Sequence, residues 1–298
     1  MKSLLFTGAS GFLGRCLLPI LYTKYHVFTL DLRNADYNCD LSKGSCSLKG
    51  TFDIVLHAAG KAHTIPKSET EKQSFFDVNY QGTINLCKAL EKAGPPRSFI
   101  FISTVAVYGC DYGDNISEEH PLNGNTPYAL SKIQAEKFLI DWCQNHNVIL
   151  TILRPSLIAG PNPPGNLKDM INGIKSGFYY GIGGGNAQKS ILMVEDIAWL
   201  IPLVAEKGGI YNVCDDEHPS FKQLEISVSK QSGKRAPLNI PYRLAKYMAL
   251  CGDVIGKKAP INSLRLNKMT RSLTFSNQKA EDILGWQPLN VLENFKIT

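Results

Sequence analysis

The chain has 298 residues, 44% of them apolar and 19% charged, and its 32 Lys and Arg against 26 Asp and Glu leave a formal charge of +6. These values fit an ordinary globule with one large domain or two that share a core. They exclude a low-complexity chain; no Lys/Arg block marks a nucleic-acid binder, and no uncharged apolar run is long enough to cross a membrane. Neither nucleic acid nor membrane is therefore expected as a partner. Met1 to Phe6 begins like a secretory leader, but the apolar run breaks at Gly8. The eight cysteines are scattered, with no Cys-x-x-Cys pair. Reduced thiols and a cytoplasmic location are expected, and no bound metal.

In chain order, residues 3–6, 26–32, 54–57, 99–103 and 149–153 are short β-type runs, several apolar throughout. Helical patterns cover 11–21, 75–93 and 128–146. Strands alternating with helices predict a parallel sheet covered on both faces, and right-handed crossovers make it an α/β, doubly wound fold. After Gly160 the pattern loosens into a Pro- and Gly-rich loop at 161–165 and a Gly-rich turn at 181–186. Residues 209–214 read as one more strand of the main sheet. The expected division is a dinucleotide-binding domain of 1–162 plus about 196–214, and a smaller, discontinuous α/β substrate lobe of 163–195 plus 215–298.

Thr7-Gly8-Ala9-Ser10-Gly11-Phe12-Leu13-Gly14 follows the first strand and opens the first helix. There Gly8 allows a tight turn, Gly11 a close approach of backbone to a pyrophosphate, and Gly14 close packing of helix on sheet. The helix N-terminus, with Ser10, Phe12 and Leu13, faces the phosphates with free N–H groups. Asp31 ends the second strand at the distance expected of a carboxylate that binds an adenosine ribose, which favours NAD over NADP. Arg33, able to pair with a 2′-phosphate, argues the other way. Asp40 and Leu41 follow the next segment and border the adenine in this reading.

Tyr128 and Lys132 are four residues apart, on one helix face, behind Thr126 as N-cap and Pro127 in the first turn. A free phenol, with a pKa of about 10, is a poor base near neutrality. An ammonium beside it is expected to bring that value down. Ser103 and Thr104, at the end of an apolar strand, offer hydroxyls to hold a substrate oxygen.

With these residues in place, the chain resembles the extended short-chain dehydrogenase/reductase family, in its NAD-dependent nucleotide-sugar epimerase/dehydratase branch. The resemblance is carried by Thr7–Gly14, His57-Ala58-Ala59-Gly60, Asp77–Thr83 with its Asn79, Phe101–Gly109, Pro127–Lys132 and Leu153-Arg154-Pro155, six segments in the family's order. It implies Thr104, Tyr128 and Lys132 as catalytic residues, Ser103 beside them at the substrate and cofactor, and Ala58, Ala59, Gly60, Asn79 and Pro155 at the cofactor. It also implies Asn166, Leu167, Lys189 and Arg271 as contacts to the nucleotide and diphosphate of a UDP- or dTDP-hexose.

The family's 4,6-dehydratases carry an Asp-Glu pair after the catalytic Thr. Val105 and Ala106 stand there and cannot transfer protons, which argues against dehydration. A 4-epimerase is slightly preferred to a 4-ketoreductase. A non-catalytic dinucleotide sensor is the alternative of another class, opposed by the retained Tyr128 and Lys132. A homodimer paired through the 75–93 and 128–146 helices is also implied, using Phe76, Ile84, Leu86, Ile133, Phe138 and Leu139 unless these face the sheet.

Overall fold

The computed structural model describes residues 1–256 and 261–297. Strand β1 (Ser3–Thr7) passes through the glycine turn into α1 (Phe12–Leu21), then β2 (His26–Asp31), the short β3 (Tyr37–Asn38) and β4 (Ile54–His57). Helix α2 (Glu69–Phe75) continues through a π-helical stretch, Phe76–Gln81, into α3 (Gly82–Ala93). Strands β5 (Ser98–Ile102) and β6 (Gly113–Ile116) precede α4 (Pro127–Asn145), β7 (Ile149–Pro155) and β8 (Leu157–Ala159). Then come α5 (Gly165–Ser176), β9 (Gly181–Ile182), β10 (Ile191–Met193), α6 (Val194–Lys207) and β11 (Gly209–Val213). The C-terminal part holds α7 (Phe221–Gln231), β12 (Asn239–Ile240), α8 (Tyr242–Ile255), α9 (Ser263–Thr270), β13 (Leu273–Phe275), α10 (Gln278–Leu284) and α11 (Val291–Asn294).

The seven-stranded sheet has the order β11-β7-β5-β4-β1-β2-β3, and its paired strands are parallel. Alternation along each strand divides the core. Leu4, Phe6, Ile54, Leu56, Ile100 and Ile102 face α1, α6 and α10 on one side. Leu5, Val55, Phe99, Phe101 and Ile152 face α3 and α4 on the other. This is the doubly wound α/β arrangement anticipated above, with β11 returning to the sheet beside β7. Succession runs outward from β1 to β3, then restarts at β4 in the opposite direction. That reversal opens a crevice beyond the carboxyl ends of β1 and β4, where such sheets bind ligands.

Two expectations change. The helix predicted over 75–93 starts earlier and is interrupted: the Gly82 N–H bonds back to Asp77 O, five residues away, in π geometry. Of the six apolar residues weighed for a dimer contact, Leu86 and Leu139 lie in the core against the sheet, Phe138 packs on that core, and Ile133 packs with Val107 and Tyr108. Three two-stranded parallel pairs, β8–β10, β9–β12 and β6–β13, build the smaller part, and Ala280, Leu284 and Trp286 reach back into the core under the main sheet.

A buried polar chain ties the strand ends beside the crevice. Thr7 Oγ1 lies 2.7 Å from His57 Nδ1, and His57 Nε2 lies 2.9 Å from Thr83 Oγ1, which donates to Asn79 O at 2.7 Å. Because Thr83 spends its proton on Asn79, His57 donates from Nε2; burial keeps the ring neutral, which leaves Nδ1 to accept from Thr7. Burial, with Lys132 adding to it, pushes His57 down to about 3 from an ordinary 6.5. The unfolded chain therefore takes up this proton first. The contribution is intact above pH 6.5 and is lost as pH falls from there through about 3. Urea titrations of the protein and of His57→Gln between pH 7 and 4 are expected to show a smaller loss of stability on acidification in the variant.

Candidate active site

A cavity of about 520 Å³ occupies the crevice. The glycine turn supplies Gly8, Gly11, Phe12 and Leu13 to its wall; the loop after β4 supplies Ala58 and Gly60. Ser103 and Thr104 follow β5, Tyr128 and Lys132 project from α4, and Pro155 ends β7. Five segments distant in sequence are thus brought to one pocket.

Each glycine of the turn answers a different constraint. Gly8 has φ +81°, and a Cβ there would lie 2.7 Å from Ala59 N. At Gly14 a Cβ would stand 2.0 Å from Ala9 O, so α1 sits hard against its own turn. Around Gly11 the nearest atom to such a Cβ is Gly8 O at 3.2 Å. No side chain caps α1. Its first N–H groups and the positive end of its dipole are therefore available to an anion. Asp31 stands next to the turn, accepting from Ser10 N and Leu32 N, each at 2.7 Å.

Other predicted residues act behind the wall. Ala59 N donates to Thr7 Oγ1 at 3.1 Å. Asn79 is buried; its Oδ1 accepts from Lys61 N at 2.6 Å and its Nδ2 donates to Ser131 Oγ at 2.9 Å. Asp40 accepts from Ser42 Oγ at 2.6 Å, and Leu41 is a core residue whose carbonyl accepts from Asn85 Nδ2 at 2.7 Å. Asp40 and Leu41 shape the loop beside β2 and do not line the cavity.

Thr126 caps α4 by accepting from Ala129 N, with Pro127 in the first turn, as anticipated. This start aims Tyr128 and Lys132 at the end of β5. Tyr128 is hydrogen-bonded to Thr104, but burial outweighs that bond and raises the phenol above its ordinary value. Lys132 Nζ donates to Ile102 O at 2.8 Å and lies 4.5 Å from the centre of the Phe101 ring. Burial pulls Lys132 down to about 8, while Glu136 pulls the other way. The expected acidified phenol is thus not seen here. The Lys132 ammonium is spent on a backbone carbonyl, and desolvation keeps Tyr128 protonated.

Sequence reasoning missed the layer behind these groups. Glu136, one turn beyond Lys132, is buried and pairs with Arg154 of β7 through Nη2 at 2.7 Å and Nε at 3.2 Å. It also accepts the Ser103 hydroxyl. Ser103 lines the cavity with its hydroxyl proton committed to Glu136, and Thr104 beside it accepts from Ala106 N at 3.1 Å and bonds to Tyr128. Arg154 Nη1 donates to Tyr108 OH at 3.0 Å, and Tyr108 donates to Asn212 Oδ1 at 2.6 Å. A signal existed: Tyr128, Lys132 and Glu136 share a four-residue spacing.

The four residues expected to contact a nucleotide and diphosphate separate. Asn166 is exposed and Leu167 is buried in a core of α5, α7 and β10, so Leu167 is a packing residue there. Lys189 Nζ donates to Arg271 O at 2.9 Å, and the Arg271 guanidinium lies 4.7 Å from the centre of the Tyr112 ring. Burial, then repulsion from Lys268, pulls Lys189 down to about 8. Lys189 forms a backbone bridge with Leu273, a residue of the cavity wall, but neither Lys189 nor Arg271 lines the cavity itself.

Comparison with known proteins gives a consistent picture. The profile of the NAD dependent epimerase/dehydratase family matches residues 4–214. An N-acetyl-alpha-D-glucosaminyl-diphospho-ditrans,octacis-undecaprenol 4-epimerase of Escherichia coli O157:H7 is 31% identical, over 93% of this chain and 88% of its own. A UDP-glucose 4-epimerase of Vibrio cholerae is 27% identical over 100% and 94%. A GDP-6-deoxy-D-mannose reductase of Pseudomonas aeruginosa is 29% identical over 75% and 78%. Among solved structures, RMD from Pseudomonas aeruginosa complexed with NADPH superposes with a TM-score of 0.75 at 22% identity, covering 99% and 96% of the two chains. A Thermus thermophilus UDP-glucose 4-epimerase complex with NAD gives 0.72 at 22%, covering 99% and 96%.

Arg154→Met leaves the Glu136 carboxylate buried without its countercharge, a loss of about 3–5 kcal/mol for such pairs. Urea unfolding should report a drop of that order, and adding Glu136→Leu to the same protein should recover part of it.

Proposed function

The chain belongs to the NAD dependent epimerase/dehydratase family, and on that premise we propose that it is a 4-epimerase acting on a hexose carried by a diphosphate. It is an enzyme of the nucleotide-sugar epimerase/reductase group and binds a nicotinamide dinucleotide. The observation that supports redox chemistry at a sugar hydroxyl is the convergence of Thr104, Tyr128 and Lys132 on the cavity that begins at the glycine turn.

The residues present fit the dinucleotide. The uncapped end of α1 and the open side of Gly11 suit its pyrophosphate, and Asp31 suits an adenosine ribose. A carboxylate there repels a 2′-phosphate, which supports NAD in preference to NADP. Bound NAD supplies a hydride acceptor and, once reduced, a donor. The chain's part is proton handling. Thr104 holds the carbon-4 oxygen, and Tyr128 exchanges a proton with it. Tyr128 must give up its own proton to accept one, and Lys132 can favour that form once its ammonium is redirected from the Ile102 carbonyl. Glu136 supports the cationic form of Lys132. Lys189 and Arg271, near the wall residue Leu273 across a backbone bridge or along the chain, are the cations proposed for the diphosphate.

Redox at a single carbinol carbon is favoured over dehydration because Thr104 is followed by Val105 and Ala106, which offer no second acid or base for eliminating water; carbon 4 is the position the resemblance implies. A 4-ketoreductase would use the same groups. The carrier has a second reading: the Escherichia coli relative is named for a sugar on undecaprenyl diphosphate. Recognition through the diphosphate would serve either carrier. A homodimer paired through α3 and α4 belongs to the same proposal, with Phe76 and Ile84 only half-buried. Sedimentation at micromolar concentration is expected to give twice the chain mass of 32.9 kDa.

Tyr128→Phe is expected to lower turnover by about 10²-fold or more while leaving NAD binding intact; full turnover in the variant would end the mechanism. Incubation with UDP-hexoses and no added reductant separates the two enzyme readings: an epimer must form, whereas a reductase consumes one reduced dinucleotide per keto sugar. Cofactor binding without turnover of any sugar diphosphate would instead favour a non-catalytic sensor.

A further inference from the structure

Helix α8 is built inside out. Its buried side holds only Ala245, Ala249 and Gly252, at four- and three-residue spacing. Its large apolar side chains point away from the protein: Tyr247 is 71% exposed, Leu250 51%, Val254 90% and Ile255 65%. A helix that stabilises a globule by its apolar face shows the reverse pattern. Seven of the 21 large hydrophobic residues exposed among the described residues fall within these fourteen positions, so this is a patch and not scatter.

Charge is segregated in the same region. Between Lys234 and Arg271 the sequence holds nine Lys and Arg and a single acid, Asp253. That segment carries +8, more than the +6 of the whole chain, so the remainder carries −2. Two of the nine, Lys257 and Lys258, lie outside the described residues. Asp253 is engaged by Ser263, whose N–H donates to it at 2.9 Å. At 100° per residue, Arg243 lies amid the outward apolar side chains and Lys246 on their flank.

We infer that the outward face of α8 docks on a lipid bilayer rich in anionic headgroups, lying along the surface. Apolar and aromatic side chains on one face, edged by cations, are the composition of an interfacial helix. Fourteen residues span about 21 Å, too short to cross the hydrocarbon core, and among the described residues no helix is long and apolar enough to do so. The excess of cations over acids favours an anionic bilayer over a second copy of this chain, whose matching face would carry the same sign. Just before α8 in the chain, Leu238, 75% exposed, lines a groove together with Lys234 and Arg235. The inference would serve a lipid-borne sugar but does not rest on that reading.

Flotation of the full chain tests it. Vesicles of equal parts phosphatidylglycerol and phosphatidylcholine are expected to carry the protein upward at low salt. Pure phosphatidylcholine should carry much less, and so should either vesicle at about 0.5 M salt, where screening is short-ranged. The combined Tyr247→Ser, Leu250→Ser and Val254→Ser variant should float at least ~10-fold less, with circular dichroism and Tm showing that it is folded. No flotation with anionic vesicles at low salt would overturn the inference. Equal flotation of the folded triple variant would also do so. A triple variant whose flotation is unchanged but whose sedimentation mass is halved would assign the face to a second copy instead.

Discussion

Glu136 is a carboxylate that a folded chain can bury only in company. It is 1% exposed, and a lone charge at such depth would cost several kcal/mol. Its company is Arg154 from β7 and the Ser103 hydroxyl after β5, so one side chain of α4 is clamped to the ends of two sheet strands. The clamp leaves the helix little freedom to slide or roll. Lys132 and Tyr128, one and two turns back, inherit that position. Lys132 is then held at the Ile102 carbonyl, with Glu136 favouring its cationic form. The pair is thus better understood as a device of placement than as a source of net stability, since apolar replacements of such pairs are often no less stable.

The opposite wall of the cavity depends on the absence of atoms. Backbone meets backbone at Gly8 and Ala59 and at Gly14 and Ala9, where a methyl group would overlap. These contacts bring the turn after β1 against the loop after β4 at the point where the sheet reverses direction. The neutral His57 locks the same corner from below through two threonines. A steric constraint on one side and an electrostatic one on the other define a single pocket between them.

Local signals explain what could be read from the sequence. The glycine turn, the cap at Thr126 and Pro127, the apolar strands and the Tyr128–Lys132 spacing each depend on neighbours within a few residues, and all are found as expected. What escaped depends on distant partners. Ser103 stands in the cavity wall, but its hydroxyl donates to Glu136, 33 residues away, a partner that no local pattern announces. Leu167 looked like a ligand contact and is a core residue under α7 and β10. The pairing of β6 with β13 joins segments nearly 160 residues apart, with no local trace. Charge misled by averaging: a modest +6 conceals a strongly cationic stretch near the C-terminus, offset by an acidic remainder.

The π-helical stretch at Phe76–Gln81 has an evolutionary corollary. A π-helical turn accommodates about one more residue than an α-helical one, and this one carries Asn79, which is buried and binds Lys61 and Ser131. Deleting one residue here would restore the ordinary ladder between α2 and α3 and relieve its looser hydrogen bonding. It would also rotate Asn79 out of the wall. Selection for a regular helix and selection for this corner of the cavity wall would then pull on the same codon in opposite directions.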